Sequence, residues 1–98
     1  MYGTIARLRA RAGSEGRLRQ LMAEYEDLAV AGFAGTSVYR MDADPNEYYL
    51  AVAFEDRKSY AANAADPAQD ARYRKLRELL EADPEWHDGE IVWTSARR

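Results

Sequence analysis

Between Gly32 and Phe54 the apolar and polar positions follow a period of two. Thr36 and Val38 fall on one side of a first strand, Thr36 to Met41, with Tyr39 and Met41 on the other. After Asp42-Ala43-Asp44-Pro45-Asn46-Glu47, a second strand sets Tyr48, Leu50, Val52 and Phe54 against Tyr49, Ala51 and Ala53. Aromatic and β-branched runs flanking an Asp/Pro/Asn cluster predict a β-hairpin. A strand with one wet face alternates apolar with polar residues, whereas here neither face is polar. This hairpin needs cover on both sides.

The rest of the chain supplies one cover. Tyr2 to Ala10 alternates as a strand whose second face turns basic through Arg7 and Arg9. Ala12-Gly13-Ser14 is a turn, with Ser14 the expected N-cap of a first helix. Leu18, Leu21, Met22, Tyr25, Leu28 and Ala29 form that helix's apolar stripe, and Gly32 is its expected stop. Beyond the hairpin, Asp56 caps a second helical region with Tyr60, Ala61 and Ala64 on its inner side. Asp66-Pro67 breaks it, since proline suits the first turn of a new helix. That helix carries Tyr73, Leu76, Leu79 and Leu80 on one stripe. Asp83-Pro84 ends it, Pro84 to Gly89 reads as a turn-rich approach, and Glu90 to Ser95 as the last strand. Arg97 and Arg98 read as a polar tail.

The order strand, helix, strand, strand, helix, strand predicts an α+β fold, the ferredoxin-like βαββαβ arrangement in which a four-stranded antiparallel sheet carries both helices on one face. The other apolar face then requires a partner. A two-fold homodimer with the sheets face to face satisfies it, because an isologous contact lets one patch cover itself.

Composition narrows the picture further. With 98 residues the chain is expected to be one domain spanning 1–98. No cysteine is present, so disulfides, zinc-thiolate sites and thiol nucleophiles are excluded. A net charge of −3 argues against nucleic acid as the main partner. The longest uncharged run, Leu28 to Tyr39, is too short and glycine-broken to span a bilayer, and arginines stand where a signal peptide would need its apolar stretch. The expectation is a cytoplasmic protein without membrane partners. Twelve arginines against two lysines, with eighteen alanines, point to a GC-rich bacterial genome.

The layout from Tyr2 to about Ser95 resembles the dimeric α/β-barrel superfamily and, within it, the antibiotic biosynthesis monooxygenase (ABM) domain. The resemblance is carried by Gly13 before the first helix, Gly32-Phe33, Tyr39-Arg40, and Leu50 to Phe54 followed by Glu55-Asp56. Ser59-Tyr60, the Asp66-Pro67 break and Tyr73 complete it. It implies a ligand cavity between the sheet and the split helix, lined by Phe54, Tyr60, Asn63 and Tyr73, with Tyr39 and Arg40 reaching it from the sheet. Family members include cofactor-independent monooxygenases of aromatic polyketides or quinols, haem degraders and small proteins of unassigned role. Many have Trp where Phe54 stands and His near Asn63. Haem degraders use a second-helix histidine, which this chain lacks, so neither haem nor another cofactor is expected.

Cofactor-free oxygenation needs a deprotonated, electron-rich substrate in a dry pocket with a few polar anchors. Tyr60, Asn63 and Tyr73 are the candidate catalytic groups and Arg40 a candidate anion stabiliser; the alternative for the two tyrosines is core packing. His87 is the fourth catalytic candidate, a general base oriented by Asp88, with Trp86 beside it as a substrate contact; otherwise it is a turn histidine. One histidine and no cysteine leave no recognisable metal site. Arg7, Arg9 and Arg11 either guide an anionic ligand or pair with nearby acids. Gly32-x-x-Gly35 is a helix exit and strand start rather than a phosphate loop. Ser37 and Ser95 lack a nucleophile-elbow context, and Trp93 is expected in core or interface. Two readings stand: a cofactor-independent monooxygenase, or a non-catalytic dimeric α/β-barrel protein that binds a ligand or serves in stress.

Overall fold

The computed structural model describes residues 1–95 and builds one four-stranded antiparallel sheet covered on one face by three helices. The elements are β1 (Tyr2–Arg9), α1 (Glu15–Asp27), β2 (Phe33–Arg40), β3 (Glu47–Phe54), α2 (Arg57–Ala65), α3 (Pro67–Glu78) and β4 (Glu85–Glu90). Strand order is β2-β3-β1-β4, the ferredoxin-like α+β arrangement that the element order predicts.

The register explains the two apolar faces. Across β1 and β3, Tyr2 opposes Phe54, Thr4 Val52, Ala6 Leu50 and Leu8 Tyr48, and all of these turn toward the helices. Between them run Gly3 opposite Ala53, Ile5 opposite Ala51 and Arg7 opposite Tyr49, on the face that no helix covers. The core is Ala6, Leu8, Ala10, Leu18, Tyr48, Leu50 and Leu80, with Met22, Val52, Leu76 and Leu79 packed around it. On the open face Ile5 and Tyr39 are exposed. The β2–β3 turn is held by Asp44, whose Oδ1 accepts from Asn46 N at 2.9 Å while its Oδ2 accepts from Arg9 at 2.9 Å. The Asn46 N–H, then Arg9, holds the Asp44 carboxyl below its usual range.

The caps are mixed. Asp56 accepts from Ser59 N at 2.7 Å and Asp66 from Ala68 N at 2.9 Å, so both expected aspartate caps form. Ser14 stands at the N-cap of α1 but makes no capping bond; its hydroxyl donates to the Arg11 carbonyl at 2.7 Å. Helix α1 ends sooner than its stripe suggests, at Leu28, with Ala29 in the left-handed region at φ 50°. Leu28 is therefore exposed. The arginine fringe pairs with acids: Arg7 with Glu47 and Glu85, Arg9 with Asp44 and Glu81.

The last strand is a correction. It runs from Glu85 to Glu90 rather than from Glu90 to Ser95, because β1 offers its free edge from Arg7, opposite Glu85, to Tyr2, opposite Glu90. Beyond that, β1 has no partners left except Met1, whose carbonyl accepts from Ile91 N at 2.9 Å. Val92 and Trp93 are 88% and 79% exposed. The expected Arg97-Arg98 tail lies outside the described residues.

Candidate active site

The helix face of the sheet is not fully filled. Helix α2 is rich in alanine and buries no residue completely, so Tyr60 alone bridges much of its gap to β1 and β3. The Asp66–Pro67 break then turns α3 along the sheet. Between them lies a cavity of about 510 Å³, within the usual range for small-molecule sites. Its floor is Leu50, Val52 and Phe54 of β3 with Thr4, Thr36, Trp86 and Asp88 from the other strands. Its roof is Leu21, Met22 and Tyr25 of α1, Tyr60 and Asn63 of α2, and Arg72, Tyr73 and Leu76 of α3.

Aromatic rings form a continuous chain along it. Tyr25, Phe33, Phe54, Tyr60 and Tyr2 meet edge to face, with successive centroids 5.3, 5.7, 5.6 and 5.2 Å apart. Such contacts fix ring orientation as well as burying area. Tyr73 and Trp86 lie tilted at 6.4 Å on another wall. Arg57 stacks over Tyr2 and Arg72 over Tyr25, at 5.4 and 5.5 Å from the ring centroids.

Two polar groups interrupt this surface near Tyr60. The Tyr60 hydroxyl donates to Asp88 Oδ1 at 2.7 Å. Burial, then this bond to a carboxylate, pushes the phenol up to about 12, while the Thr4 hydroxyl nearby pulls the other way. Thr4 Oγ1 itself is buried and meets no hydrogen-bond partner among the described residues. Farther along, burial raises the Tyr25 phenol, with the Arg72 charge and then Asn63 offsetting part of it.

The Tyr60 shift is directly measurable. An absorbance titration should show one phenol ionising near pH 12, and Asp88→Asn should bring it down. Because the folded value is raised, stability from this group is complete below the unfolded value near 10 and is lost as pH rises through about 12. Ionisation of all tyrosines together near pH 10 would contradict the geometry.

Five of the eight expected site residues line the cavity: Phe54, Tyr60, Asn63, Tyr73 and Trp86. The other three do not. His87 lies opposite Ile5 on the uncovered face of the sheet, and Asp88, its neighbour along the strand, points the opposite way. A carboxylate one residue along a β-strand cannot orient that imidazole. Tyr39 opposes Tyr49, also on the uncovered face. Arg40 reaches Glu15 of α1 at 2.9 Å and lies outside the cavity wall. Thr4, Tyr25 and Asp88 join the wall unforeseen. Thr4 is legible as the one polar position on the inner face of β1; Asp88 is not, because Pro84 to Gly89 has the composition of a turn.

Among the described residues no group of three or more His, Cys, Asp or Glu side chains could hold a metal ion. No helix in them is long and apolar enough to cross a membrane.

This geometry defines the chain as a ferredoxin-like α+β protein with an aromatic-walled cavity under a split helix. Residues 1–81 match the family model of antibiotic biosynthesis monooxygenase, and the chain belongs to that family. Solved structures similar to it include SnoaB, a cofactor-independent oxygenase from Streptomyces nogalater, at 16% identity and TM-score 0.80 over 95% of this chain and 94% of that one. A candidate antibiotic biosynthesis monooxygenase from Deinococcus radiodurans matches at 17% identity and TM-score 0.79 over 100% and 99% of the two chains. Another from Chloroflexus aurantiacus J-10-fl matches at 23% identity and TM-score 0.78 over 97% and 96%. No curated protein matches the chain.

Proposed function

We propose that the cavity binds an aromatic or conjugated small molecule and that the protein oxidises it as a cofactor-independent monooxygenase, working as a homodimer. The observation that carries this reading is the cavity itself: about 510 Å³, with a largely aromatic and aliphatic wall in which polar and charged side chains, Asn63, Arg72 and Asp88 among them, are set. Such a site excludes water from a bound polycycle and strengthens the few polar contacts made to it. Asn63 and Arg72, the latter bonded to Gln69 and stacked on Tyr25, are the wall's donors toward an anionic form of the substrate, whereas Arg40 is engaged with Glu15 outside the cavity. Family membership and the oxygenase activity of the S. nogalater relative favour oxygen as co-substrate.

The homodimer is supported by the uncovered face. Ile5 and Tyr39 lie there exposed beside Ala51 and Ala53, and Val92 and Trp93 are exposed after β4. A second copy of the same face would bury them by an isologous contact.

A second reading, a non-catalytic ligand binder, is favoured by one observation. The chain's single histidine, the side chain that ordinarily titrates near neutral pH, is turned away from the cavity. Oxygen uptake separates the two. With anthrone-like and quinol substrates the enzyme consumes oxygen, and Asn63→Ala and Tyr60→Phe lower the rate by about 10²-fold or more while native mass spectrometry still reports two chains. No turnover across the panel, with ligand nonetheless bound, would establish the binder; a single-chain mass would remove the dimer.

A further inference from the structure

We infer that Asp88, Tyr60 and Thr4 form an acceptor-rich corner of the cavity that selects a neutral ligand bearing an aromatic hydroxyl. The inference rests on the reading of the cavity as an aromatic ligand site and assigns the group that orients the ligand within it.

The argument is a count of protons. A phenol has one, and Tyr60 gives its proton to Asp88 Oδ1 at 2.7 Å. With that proton committed, the Tyr60 oxygen can only accept a hydrogen bond. An ionised carboxylate is also acceptor-only, and Asp88 retains a second oxygen. Both groups thus ask the ligand for a donor. The raised Tyr60 phenol keeps this arrangement intact throughout the neutral range.

Thr4 supplies the complement. It lies directly opposite Asp88 across the β1–β4 ladder, so both side chains emerge on the cavity face, where opposed Cβ atoms are about 5 Å apart. Thr4 is 5% exposed, and its hydroxyl has no partner among the described residues. Buried hydroxyls are nearly always satisfied. One ligand hydroxyl donates its single proton to Asp88 and accepts from Thr4, and the Tyr60 oxygen remains an open acceptor. An ether oxygen can only accept, and so makes no bond to Asp88, whose exposed carboxylate stays with solvent. A carboxylate brings a second negative charge to Asp88 and is repelled.

Binding of matched bicyclic probes tests this on the intact protein. Calorimetry with 2-naphthol, 2-methoxynaphthalene and 2-naphthoate at pH 7 should give naphthol about tenfold tighter binding than its methyl ether, the worth of one hydrogen bond to a charged acceptor, with naphthoate weakest. Asp88→Asn should shrink the naphthol-to-ether ratio to about threefold or less. Thr4→Val should weaken both probes together and leave the ratio unchanged, since both accept from Thr4. Equal binding of naphthol and ether by the unmodified protein, or a ratio untouched by Asp88→Asn, would overturn the inference while leaving the cavity reading intact. Absence of binding by all three would overturn both.

Discussion

Replacing Phe54 by alanine should lower the unfolding free energy by about 4 kcal/mol, and the melting temperature of so small a domain by about 15–30 °C. Phe54 is 1% exposed although it belongs to the cavity floor, so truncation removes a ring that its neighbours enclose almost completely. It also stands in the middle of the aromatic chain, with Phe33 on one side and Tyr60 on the other. Neither neighbour can collapse fully into the space, because Phe33 is tied to the irregular start of β2 and Tyr60 is bonded to Asp88. The loss is a large share of the roughly 5–15 kcal/mol that holds such a domain folded. Phe54→Leu, which refills most of the volume, should cost about 1–2 kcal/mol. Urea unfolding of the three proteins checks the series; a loss below about 1 kcal/mol for the alanine variant would be inconsistent with its burial.

Gly3→Ala should cost about 3 kcal/mol or more although it adds a single methyl group. A Cβ at Gly3 would stand 1.8 Å from the Val52 carbonyl oxygen and 3.2 Å from the Ala53 Cα. Both are backbone atoms of β3, so nothing can swing aside. The methyl can be housed only if β1 parts from β3, in the ladder that joins the two central strands of the sheet. The control lies across the other ladder: Gly89, opposite Gly3, would meet no atom within 4 Å. Gly89→Ala should change stability by less than about 0.5 kcal/mol. Equal effects at the two glycines would show that the close approach of β1 and β3 is not what Gly3 serves.

Much of this fold can be read from residue patterns because local chemistry and tertiary packing agree there. The hairpin alternation matches the observed faces from Thr36 to Arg40 and from Tyr48 to Phe54, although β2 starts earlier, at Phe33, and leaves Met41 outside it. The break at Asp66-Pro67 is equally plain, since proline lacks the donor a continuing helix requires and an aspartate cap replaces it. The fourth strand shows the reverse. Ile91-Val92-Trp93 has the composition of a strand, and Glu85-Trp86-His87-Asp88-Gly89-Glu90 that of a turn, yet the second pairs and the first does not. An edge strand is held by backbone hydrogen bonds to its neighbour, so the free length of β1 outweighs side-chain preference. Likewise Leu28 fits the helical stripe of α1 and is nonetheless exposed, because the helix has already ended beneath it.

The cavity divides along the same line. Its aromatic walls are legible as helix and hairpin residues, since Phe54, Tyr60 and Tyr73 keep the spacing of faces that must turn inward. Its polar corner is not, since Asp88 reaches the cavity only through the β1–β4 register.

The residue sequence by itself determined the six-element order, the interrupted second helical region and the apolar character of both faces of the hairpin, because each follows from period, proline chemistry or apolar patterning within a short stretch. Only the tertiary structure decided which of Trp86, His87 and Asp88 faces the cavity. Successive residues of a strand point to opposite sides, so a single step of register exchanges a histidine for a carboxylate in the cavity wall. That step is set by where β1 begins and ends, at the other end of the chain.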